Sequence, residues 1–325
     1  MNIDRPTQSD ISLIIPSYNR GKYISETIDR ALNQTDPFRE IIVVNDGSTD
    51  NTLEVLSNYQ SRITVINQRN GGVQKARNTG VHAAKSTYVT FCDDDDRIRP
   101  EYVNIIGNWL TGHPDVDVVY CNFVAFNEKG ELYDKFKTAP AEYFKDAEYE
   151  GDFIVSFPDL LRQTVRFQPL FPTGMTVKKD YYEAIGGFYP KYSHVTSEDW
   201  NFVLRVIASG KVHICTLTLT EIRKHSGNQS GEPIAQGMGE ATILEDALKE
   251  IPALKEYEEE VRKSISLRRL SSYDAAFAKG QFEKCMEIKS LIYFEHKNYK
   301  FQLKNIILQC PSLLRDALWN ISQGK

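Results

Sequence analysis

The first half of the chain alternates short apolar runs with segments in which apolar residues recur every three or four positions. A short apolar run predicts a buried strand, and the three-to-four spacing predicts an amphipathic helix. The pattern places strands at 11–16, 40–45, 63–67, 87–92 and 116–126, with helices between them at 22–34, 51–59, 73–85 and 100–110. This order predicts the α/β fold class, with a Rossmann-like, mostly parallel sheet flanked by helices on both faces.

Polar residues follow three of these strands. Because a parallel sheet binds its ligands at the carboxyl ends of its strands, the three clusters are expected to converge on one edge and form a nucleotide pocket. The first cluster contains Pro16, Ser17, Tyr18 and Asn19, the second contains Asp46, and the third is the run Asp93, Asp94, Asp95 and Asp96.

The run of four aspartates needs a compensating charge, because adjacent carboxylates repel each other and each prefers water. An oxygen-rich cluster at a strand end is typical of a Mg²⁺ or Mn²⁺ site that holds the phosphates of a nucleotide. The alternative is a solvated turn that caps the helix beginning near residue 100. The chain has neither GxGxxG after the first strand nor GxxxxGKS/T, so a bridging metal ion is the expected way to hold phosphates.

Composition adds limits to this picture. The 325 residues, 41% hydrophobic and 26% charged, are enough for one large core and an appendage. The net charge of -5 argues against a nucleic-acid partner. Five scattered cysteines without CxxC spacing fit a reducing cytoplasm, and no segment has the apolar length of a membrane span. A cytoplasmic protein with at most peripheral membrane contact is therefore expected.

The second half continues with a predicted strand at 171–177, a short helix at 179–185 and a strand at 212–222. Apolar residues at helical spacing also predict a helix whose first turn carries Asp199. The polar stretch 127–166 lacks sustained periodicity and is too long for a simple connection. We expect it to be an acceptor-binding or lid insertion.

Six ordered motifs resemble those of the family 2 glycosyltransferases with the GT-A fold, over about residues 11–230. They are IIPSYN at 14–19, VNDGSTD at 44–50, NGG to ARN at 70–78, FCDDDD at 91–96, GGF at 186–188 and SEDW at 197–200. The resemblance implies an inverting transferase that moves a sugar from a nucleotide diphosphate donor, usually a UDP-sugar, to a hydroxyl group. It implies a glycan or lipid-linked acceptor in the synthesis of polysaccharide, lipopolysaccharide or another glycoconjugate.

The resemblance also implies roles on the donor side. Tyr18 would pack on the uracil ring, Asp46 would accept the uracil N3 hydrogen, and Arg77 would reach the base or the ribose. Each residue also suits a simpler role. These alternatives are a turn aromatic at Tyr18, a turn or helix cap at Asp46, and a surface ion pair at Arg77.

Within the acid run, the family pattern implies that Asp93 lies near the ribose and Asp95 on the metal. The family usually has a non-acidic residue between its two aspartates, so Asp94 departs from the pattern, and Asp94 with Asp96 is the alternative pair. Alternation along an extended strand would put Asp93 and Asp95 on the same side. We therefore assign Asp95 to the metal, with Asp93 and Asp94 toward the nucleotide.

On the acceptor side, the resemblance implies that Asp199 is the base that takes the proton of the acceptor hydroxyl. It also implies that a neutral His225 ligates the metal within a basic loop at 223–228 that closes over the diphosphate. The alternatives are a first-turn acid that complements the helix dipole at Asp199, and a surface or capping histidine at His225.

The predicted domains are a GT-A domain at 1–239, with a nucleotide half at 11–126 and an acceptor half at 127–239, and a helical C-terminal domain at 240–325. Residues 288–325 carry a net charge of +4, with Trp319 beside apolar residues at helical spacing. These apolar residues are Leu303, Ile306, Ile307, Leu314, Leu318 and Ile321. The pattern predicts helices that lie on an anionic membrane or, alternatively, pack on the catalytic domain or a partner subunit in a homodimer.

Two other functions fit parts of this pattern. A sugar nucleotidyltransferase shares the sheet architecture, but it would need a glycine-rich loop after the first strand, where this chain has PSYNRG at 16–21. A non-catalytic scaffold that binds nucleotide sugars would not need a base at Asp199. The sequence does not identify the donor sugar, the acceptor or the metal.

Overall fold

The computed structural model describes residues 9–225, 232–293 and 299–322. The chain divides into two compact units, which are 1–194 with 199–226 and 195–198 with 227–325. Within the described ranges, no helix combines the length and apolar character needed to cross a membrane.

The first unit contains the alternating strands and helices that the apolar pattern predicts. Its first part consists of β1 (Ile11–Ser17), α1 (Ile24–Leu32), β2 (Glu40–Asn45), α2 (Thr52–Ser57), β3 (Thr64–Asn67), α3 (Val73–Ala83), β4 (Tyr88–Phe91), β5 (Arg97–Ile98) and α4 (Tyr102–Gly112). All seven residues of β1 are buried, because helices cover both faces of the sheet. The predicted helices at 22–34 and 51–59 are shorter in the structure, while their positions agree with the prediction.

The rest of the first unit extends the sheet. Its elements are β6 (Val118–Asn127), β7 (Gly130–Asp134), β8 (Glu148–Glu150), β9 (Phe153–Ser156), α5 (Leu160–Arg166), β10 (Thr176–Lys178), α6 (Lys179–Ala184), α7 (Asp199–Ser209) and β11 (Val212–Arg223). The stretch 127–166, which shows no periodicity in the sequence, thus contains three short strands and a helix. Its role as an acceptor-binding or lid insertion stays a prediction.

Within the described part of the chain, one sheet of eleven strands has the main order β3-β2-β1-β4-β10-β6-β11-β9-β8. Strand β1 lies parallel to β2 and β4, and β2 lies parallel to β3. Strand β10 runs antiparallel to both of its neighbours, β4 and β6, while β6 and β11 are parallel. The nucleotide half of the sheet is therefore parallel, as predicted, and the remainder is mixed.

The predicted strand at 171–177 is wrong over most of its length. Regular strand pairing begins only at Thr176, and Thr173 makes a single bridge to Phe91. Gly174 has a φ of +84°, and a Cβ atom there would lie 2.6 Å from the Cys121 sulfur. The left-handed turn at Gly174 interrupts the strand, and this irregular segment becomes part of the candidate site described below.

The second unit is helical. Its helices are α8 (Pro233–Glu250), α9 (Glu258–Ala278), α10 (Phe282–Lys289), α11 (Tyr299–Gln309) and α12 (Ser312–Ser322). Helix α8 runs through position 239/240, where the sequence analysis places a domain boundary. Ile307, Leu318 and Trp319 pack on a core built around Tyr273 and Phe277. Part of the predicted amphipathic tail is therefore core, whereas its other apolar residues are exposed.

Candidate active site

The ends of β1 and β2 are joined by hydrogen bonds between their loops. Pro16 and Ser17 are the buried last residues of β1, and the Ser17 carbonyl accepts a hydrogen bond from the Asp46 amide at 2.8 Å. The Asn19 carboxamide oxygen accepts from the Thr49 amide at 2.7 Å. Pro16, Ser17 and Asn19 thus fix the shape of this edge, and Tyr18 presents a ring that is 45% exposed.

Asp46 supports the loop that precedes α3. Its carboxylate accepts hydrogen bonds from the Gln68 side chain at 2.6 Å and from the Gly71 and Gly72 amides at 2.9 and 2.8 Å. The residue is buried, so these bonds satisfy a charge that water does not reach. The predicted hydrogen bond to uracil would require Asp46 to exchange one of these partners.

The four aspartates after β4 form a turn in which Asp96 N donates to the Asp93 carbonyl at 3.1 Å. Each carboxylate consequently has its own partners. Asp93 accepts from Arg77 at 2.7 Å, and Asp94 accepts from the Tyr18 amide at 3.2 Å. The alternation expected of an extended strand does not apply here, because β4 ends at Phe91.

Asp95 and Asp96 have different surroundings. Oδ2 of Asp95 lies 2.9 Å from Nε2 of His225. The Asp96 carboxylate accepts from the Arg223 amide at 2.9 Å and from the Thr173 hydroxyl at 2.7 Å. Both oxygens of Asp96 therefore hold other parts of the fold, whereas Asp95 contacts the imidazole of His225.

Arg20 lies between two carboxylates of the run, and the sequence analysis did not assign it a role. Its Nε is 3.6 Å from Oδ1 of Asp94 and 3.5 Å from Oδ2 of Asp95. Burial, together with the negative charge of Asp95, raises the pKa of Asp94 to about 8. The positive charge of the Arg20 guanidinium opposes part of this rise in pKa. A buried carboxylate remains charged only beside a cation or strong hydrogen-bond donors.

The residues at this edge fit a hard divalent cation. Carboxylate oxygens and an imidazole nitrogen are ligands that Mn²⁺ accepts, and Mg²⁺ prefers the oxygens. In this structure Asp95 and His225 contact each other directly at 2.9 Å, the length of a hydrogen bond, so a bound cation would replace this contact. Within the described ranges, no three His, Cys, Asp or Glu side chains converge to form a metal site.

The end of β11 positions His225. Arg223 donates from Nε to the Asp95 carbonyl at 2.8 Å and pairs with Glu26 at 2.5 Å. The His225 ring stacks on Tyr23 with a centroid distance of 5.0 Å. The rest of the predicted basic loop, 226–228, lies outside the described residues.

Asp199 is the first residue of α7 and is 7% exposed. Gln168 donates from Nε2 to Oδ2 of Asp199 at 3.2 Å and to the Leu170 carbonyl at 3.1 Å. Five residues after Gln168, the Thr173 hydroxyl donates to Asp96 and accepts from the Asp93 amide at 3.1 Å. The segment 168–173 thus contacts both Asp199 and the acid run. Sequence reasoning missed this link, because the apolar run at 171–177 indicates a simple strand.

The GGF motif joins α3 to α7. Asn78 donates to the Phe188 carbonyl at 2.8 Å, and Arg205 donates to the Gly187 carbonyl at 2.5 Å. Arg77 is 2% exposed, and its guanidinium lies over the Phe188 ring at 5.0 Å. Arg77 is therefore a buried partner of Asp93 at the edge of the site; the ion pair considered as its alternative role is present, but the guanidinium is buried and not on the surface.

Comparisons with known proteins agree with this architecture. Residues 12–168 match the family model described as Glycosyl transferase family 2. The putative glycosyltransferase EpsH of Bacillus subtilis is 34% identical over 150 residues, which is 43% of each chain. The chondroitin synthase of Pasteurella multocida is 41% identical over 125 residues, which is 38% of this chain and 13% of the synthase. The matches span less than half the length of these curated relatives.

Solved structures share the fold at low sequence identity. The crystal structure of Staphylococcus aureus TarS 1–349 superposes with a TM-score of 0.59 at 19% identity, covering 95% of this chain and 82% of that one. Its complex with UDP-GlcNAc gives a TM-score of 0.60 at 20% identity, covering 95% and 83%. The predicted fold class, an α/β sheet flanked by helices with a helical C-terminal region, is confirmed. Over residues 12–168, this chain is similar to the family 2 glycosyltransferases.

Proposed function

We propose that this protein is a metal-dependent, inverting glycosyltransferase that moves a sugar from a UDP-sugar to a hydroxyl of a glycan or lipid-linked acceptor. The observation that carries the proposal is the pairing of Asp95 with His225 at 2.9 Å. It lies at the carboxyl end of the parallel strands, where open α/β sheets bind nucleotides. Tyr18 lies at the same edge, because its backbone amide donates a hydrogen bond to Asp94, and its ring is exposed.

The donor side follows from the charges and the exposed ring. Tyr18 offers an aromatic face on which a uracil ring can pack. Asp93, held by buried Arg77, lies where a ribose hydroxyl could donate a hydrogen bond. Asp95 and His225 would hold Mn²⁺ or Mg²⁺, which when bound neutralises the charge that develops on the leaving diphosphate. Asp94 adds a second carboxylate beside them.

On the acceptor side, Asp199 serves as the general base. Its carboxylate takes the proton of the acceptor hydroxyl as the oxygen attacks the anomeric carbon from the face opposite the diphosphate. One carboxylate is sufficient for a single displacement, which inverts the anomeric centre. Gln168 orients the carboxylate by donating a hydrogen bond to Oδ2.

The relatives suggest which donor to test first. UDP-GlcNAc is the ligand named for a TarS structure with this fold, and chondroitin synthase and hyaluronan synthase are among the relatives matched over residues of this chain. We therefore propose a UDP-linked hexose or N-acetylhexosamine as the donor. A polysaccharide end or a related glycoconjugate is the proposed acceptor.

The test is to incubate the protein with a panel of UDP-sugars and glycan or lipid-linked acceptors, with Mn²⁺ and with EDTA. The proposal predicts UDP release that depends on Mn²⁺ and a product whose anomeric configuration, measured by proton NMR, is opposite to that of the donor. Retention of configuration would contradict the single displacement. Donor binding without turnover on any acceptor would favour a scaffold, and release of pyrophosphate from UTP and a sugar phosphate would indicate a nucleotidyltransferase.

A further inference from the structure

Gln74 carries a buried carboxamide with unmet hydrogen-bonding capacity. The residue is 1% exposed, and within the described part of the chain neither Nε2 nor Oε1 has a hydrogen-bond partner. A carboxamide can donate two hydrogen bonds and accept two. Nearly all buried polar groups in folded proteins have a partner, which is protein, ordered water or a ligand. The amide of Gln74 therefore calls for a partner from outside the described chain.

Gln74 lies on the same helix, α3, as two residues of the candidate site. Arg77 and Asn78 follow it by three and four residues, so the three side chains share one face of the helix. Arg77 contacts Asp93, and Asn78 bonds the backbone of Phe188. Gln74 lies one turn nearer the helix N-terminus on this same face, on the side of the loop that Asp46 holds.

The loop beside Gln74 brings its amide close to the backbone at residue 72. Gly72 has a φ of +88°, and a Cβ atom there would lie 3.6 Å from Oε1 of Gln74 and 2.7 Å from Oγ of Ser193. Glycine therefore permits the close approach of Ser193, and Oε1 of Gln74 lies at an ordinary contact distance from the same position. The same glycine donates its amide to Asp46 at 2.8 Å. Gln74 is thus adjacent to the loop that Asp46 supports, and Asp46 is the residue expected to bind the uracil base.

We propose that Gln74 is a donor-specificity residue whose carboxamide hydrogen-bonds the nucleoside of the bound donor. The inference rests on the proposed function, since it needs a nucleotide at this edge. Its partner is a carbonyl, N–H or hydroxyl group, which both the base and the ribose provide. The position beside Asp46 and Arg77 favours the nucleoside over the transferred sugar. A ligand would satisfy an amide that otherwise destabilises the unliganded protein.

The experiment compares Gln74→Leu with the parent in two measurements, urea unfolding without ligand and calorimetric titration with UDP in Mn²⁺. Leucine has a similar volume and no polar atoms. We expect the variant to be at least as stable as the parent, while its UDP affinity falls by about 10-fold. Gln74→Met, which matches the length of glutamine, serves as a second variant if leucine packs poorly.

Gln34→Leu is the matched control. Gln34 donates to the Arg99 carbonyl at 2.9 Å and accepts from the Val103 amide at 3.2 Å, so it is a glutamine with partners. Its loss should lower stability and leave UDP affinity unchanged. The opposite responses of the two glutamines would identify the amide of Gln74 as a ligand-binding group.

Other ligands distinguish the parts of the donor. Equal losses for UDP and UDP-GlcNAc support the nucleoside contact, and a loss confined to UDP-GlcNAc contradicts it. If parent and variant bind 2′-deoxy-UDP with equal affinity, the partner of Gln74 is the ribose. If they bind CDP with equal affinity, the partner is the uracil base. Lower stability with unchanged UDP affinity in both variants would overturn the inference. A parent that binds no UDP would instead refute the proposed function, and this inference with it.

Discussion

His225 and Asp95 are 130 residues apart in sequence, yet Nε2 of the imidazole lies 2.9 Å from Oδ2 of the carboxylate. Strands β4 and β11 bring the two residues to the same edge of the sheet. On the other side of Asp95, Nε of Arg20 is 3.5 Å from the same oxygen. The Arg20 guanidinium and the His225 imidazole thus both lie beside the carboxylate that is proposed to bind a divalent ion.

The first prediction is that Arg20 competes with the metal. Removing this guanidinium in Arg20→Ala should raise the affinity for Mn²⁺ by about 3- to 10-fold, because the carboxylates of Asp94 and Asp95 lose a cationic neighbour. Calorimetric titration of Mn²⁺ into the unliganded protein measures this change. Arg39→Ala, which removes an exposed pair with Asp10, is the control and should leave the affinity unchanged. Weaker Mn²⁺ binding in Arg20→Ala would show that Arg20 supports the metal site.

The second prediction concerns Asp199. Replacement by asparagine keeps the shape and removes the base, so kcat should fall by ~10² to 10⁴ while UDP affinity stays the same. Steady-state kinetics with the identified donor, beside UDP calorimetry, measure both quantities. Near-normal turnover in Asp199→Asn would exclude the residue as the base.

The third prediction concerns Gln168, which orients the carboxylate of Asp199 without itself taking the proton. Gln168→Leu removes the hydrogen bond to Asp199, and a hydrogen bond to a carboxylate favours its charged form. We expect kcat to fall by about 10-fold and the acidic limb of the pH–rate profile to move to higher pH. A lower kcat with an unchanged profile would indicate that Gln168 acts through packing alone.

The fourth prediction is a pH dependence of stability that arises at the opposite end of β11. Burial, with Lys211 and His113 nearby, lowers the pKa of His213 from 6.5 to about 4. Its Nδ1 accepts a hydrogen bond from the Trp109 indole at 3.1 Å, which requires the neutral ring on that side. Folding therefore favours the neutral form, so this contribution is complete above pH 6.5 and is lost as the pH falls toward 4.

At pH 5 the expected loss of unfolding free energy from His213 is about 2 kcal/mol relative to pH 7.5. His213→Asn keeps an acceptor for Trp109 and removes the titration. Urea unfolding of parent and variant at both pH values isolates the effect, because the other titrating groups are common to both proteins. Equal losses of stability in the two proteins would contradict the assignment.

Much of the nucleotide half follows from the sequence, because strands such as β2 are continuously apolar and their polar ends are short. The side-chain partners within the acid run, residues 93–96, could not be predicted from the sequence. The order of the motifs implies a metal at Asp95, but the partners of Asp96 come from Thr173 and Arg223, which lie far away in sequence. Gln168 and Arg20 were missed for the same reason. Their roles depend on contacts between loops, which leave no periodic pattern.

The last part of the chain illustrates a second limit. Helical spacing at 299–322 is clear in the sequence, but it does not reveal which apolar residues are packed. Trp319 donates to the Phe277 carbonyl at 2.6 Å and packs on Phe282, whereas Ile306 and Ile321 are 60% and 71% exposed. One helical pattern therefore contains both core residues and residues available for another surface.

The fifth prediction uses this division. If the exposed residues lie on an anionic membrane, the parent should co-sediment with anionic vesicles less strongly as salt rises. The double variant Ile306→Glu with Ile321→Glu should lose this binding and keep its Tm, while Trp319→Ala should lower the Tm. The homodimer would be favoured if the parent does not bind anionic vesicles and if light scattering shows a dimer in the parent that the double variant disrupts.

The central claim is that Asp95 holds a divalent ion that binds the donor diphosphate, and calorimetric titration of UDP tests it most directly. The parent should bind UDP in Mn²⁺ and lose most of that affinity in EDTA. Asp95→Ala should bind UDP equally weakly in both buffers, while the surface control Asp10→Ala should behave as the parent. Tight UDP binding by the parent in EDTA, or by Asp95→Ala in Mn²⁺, would contradict the account.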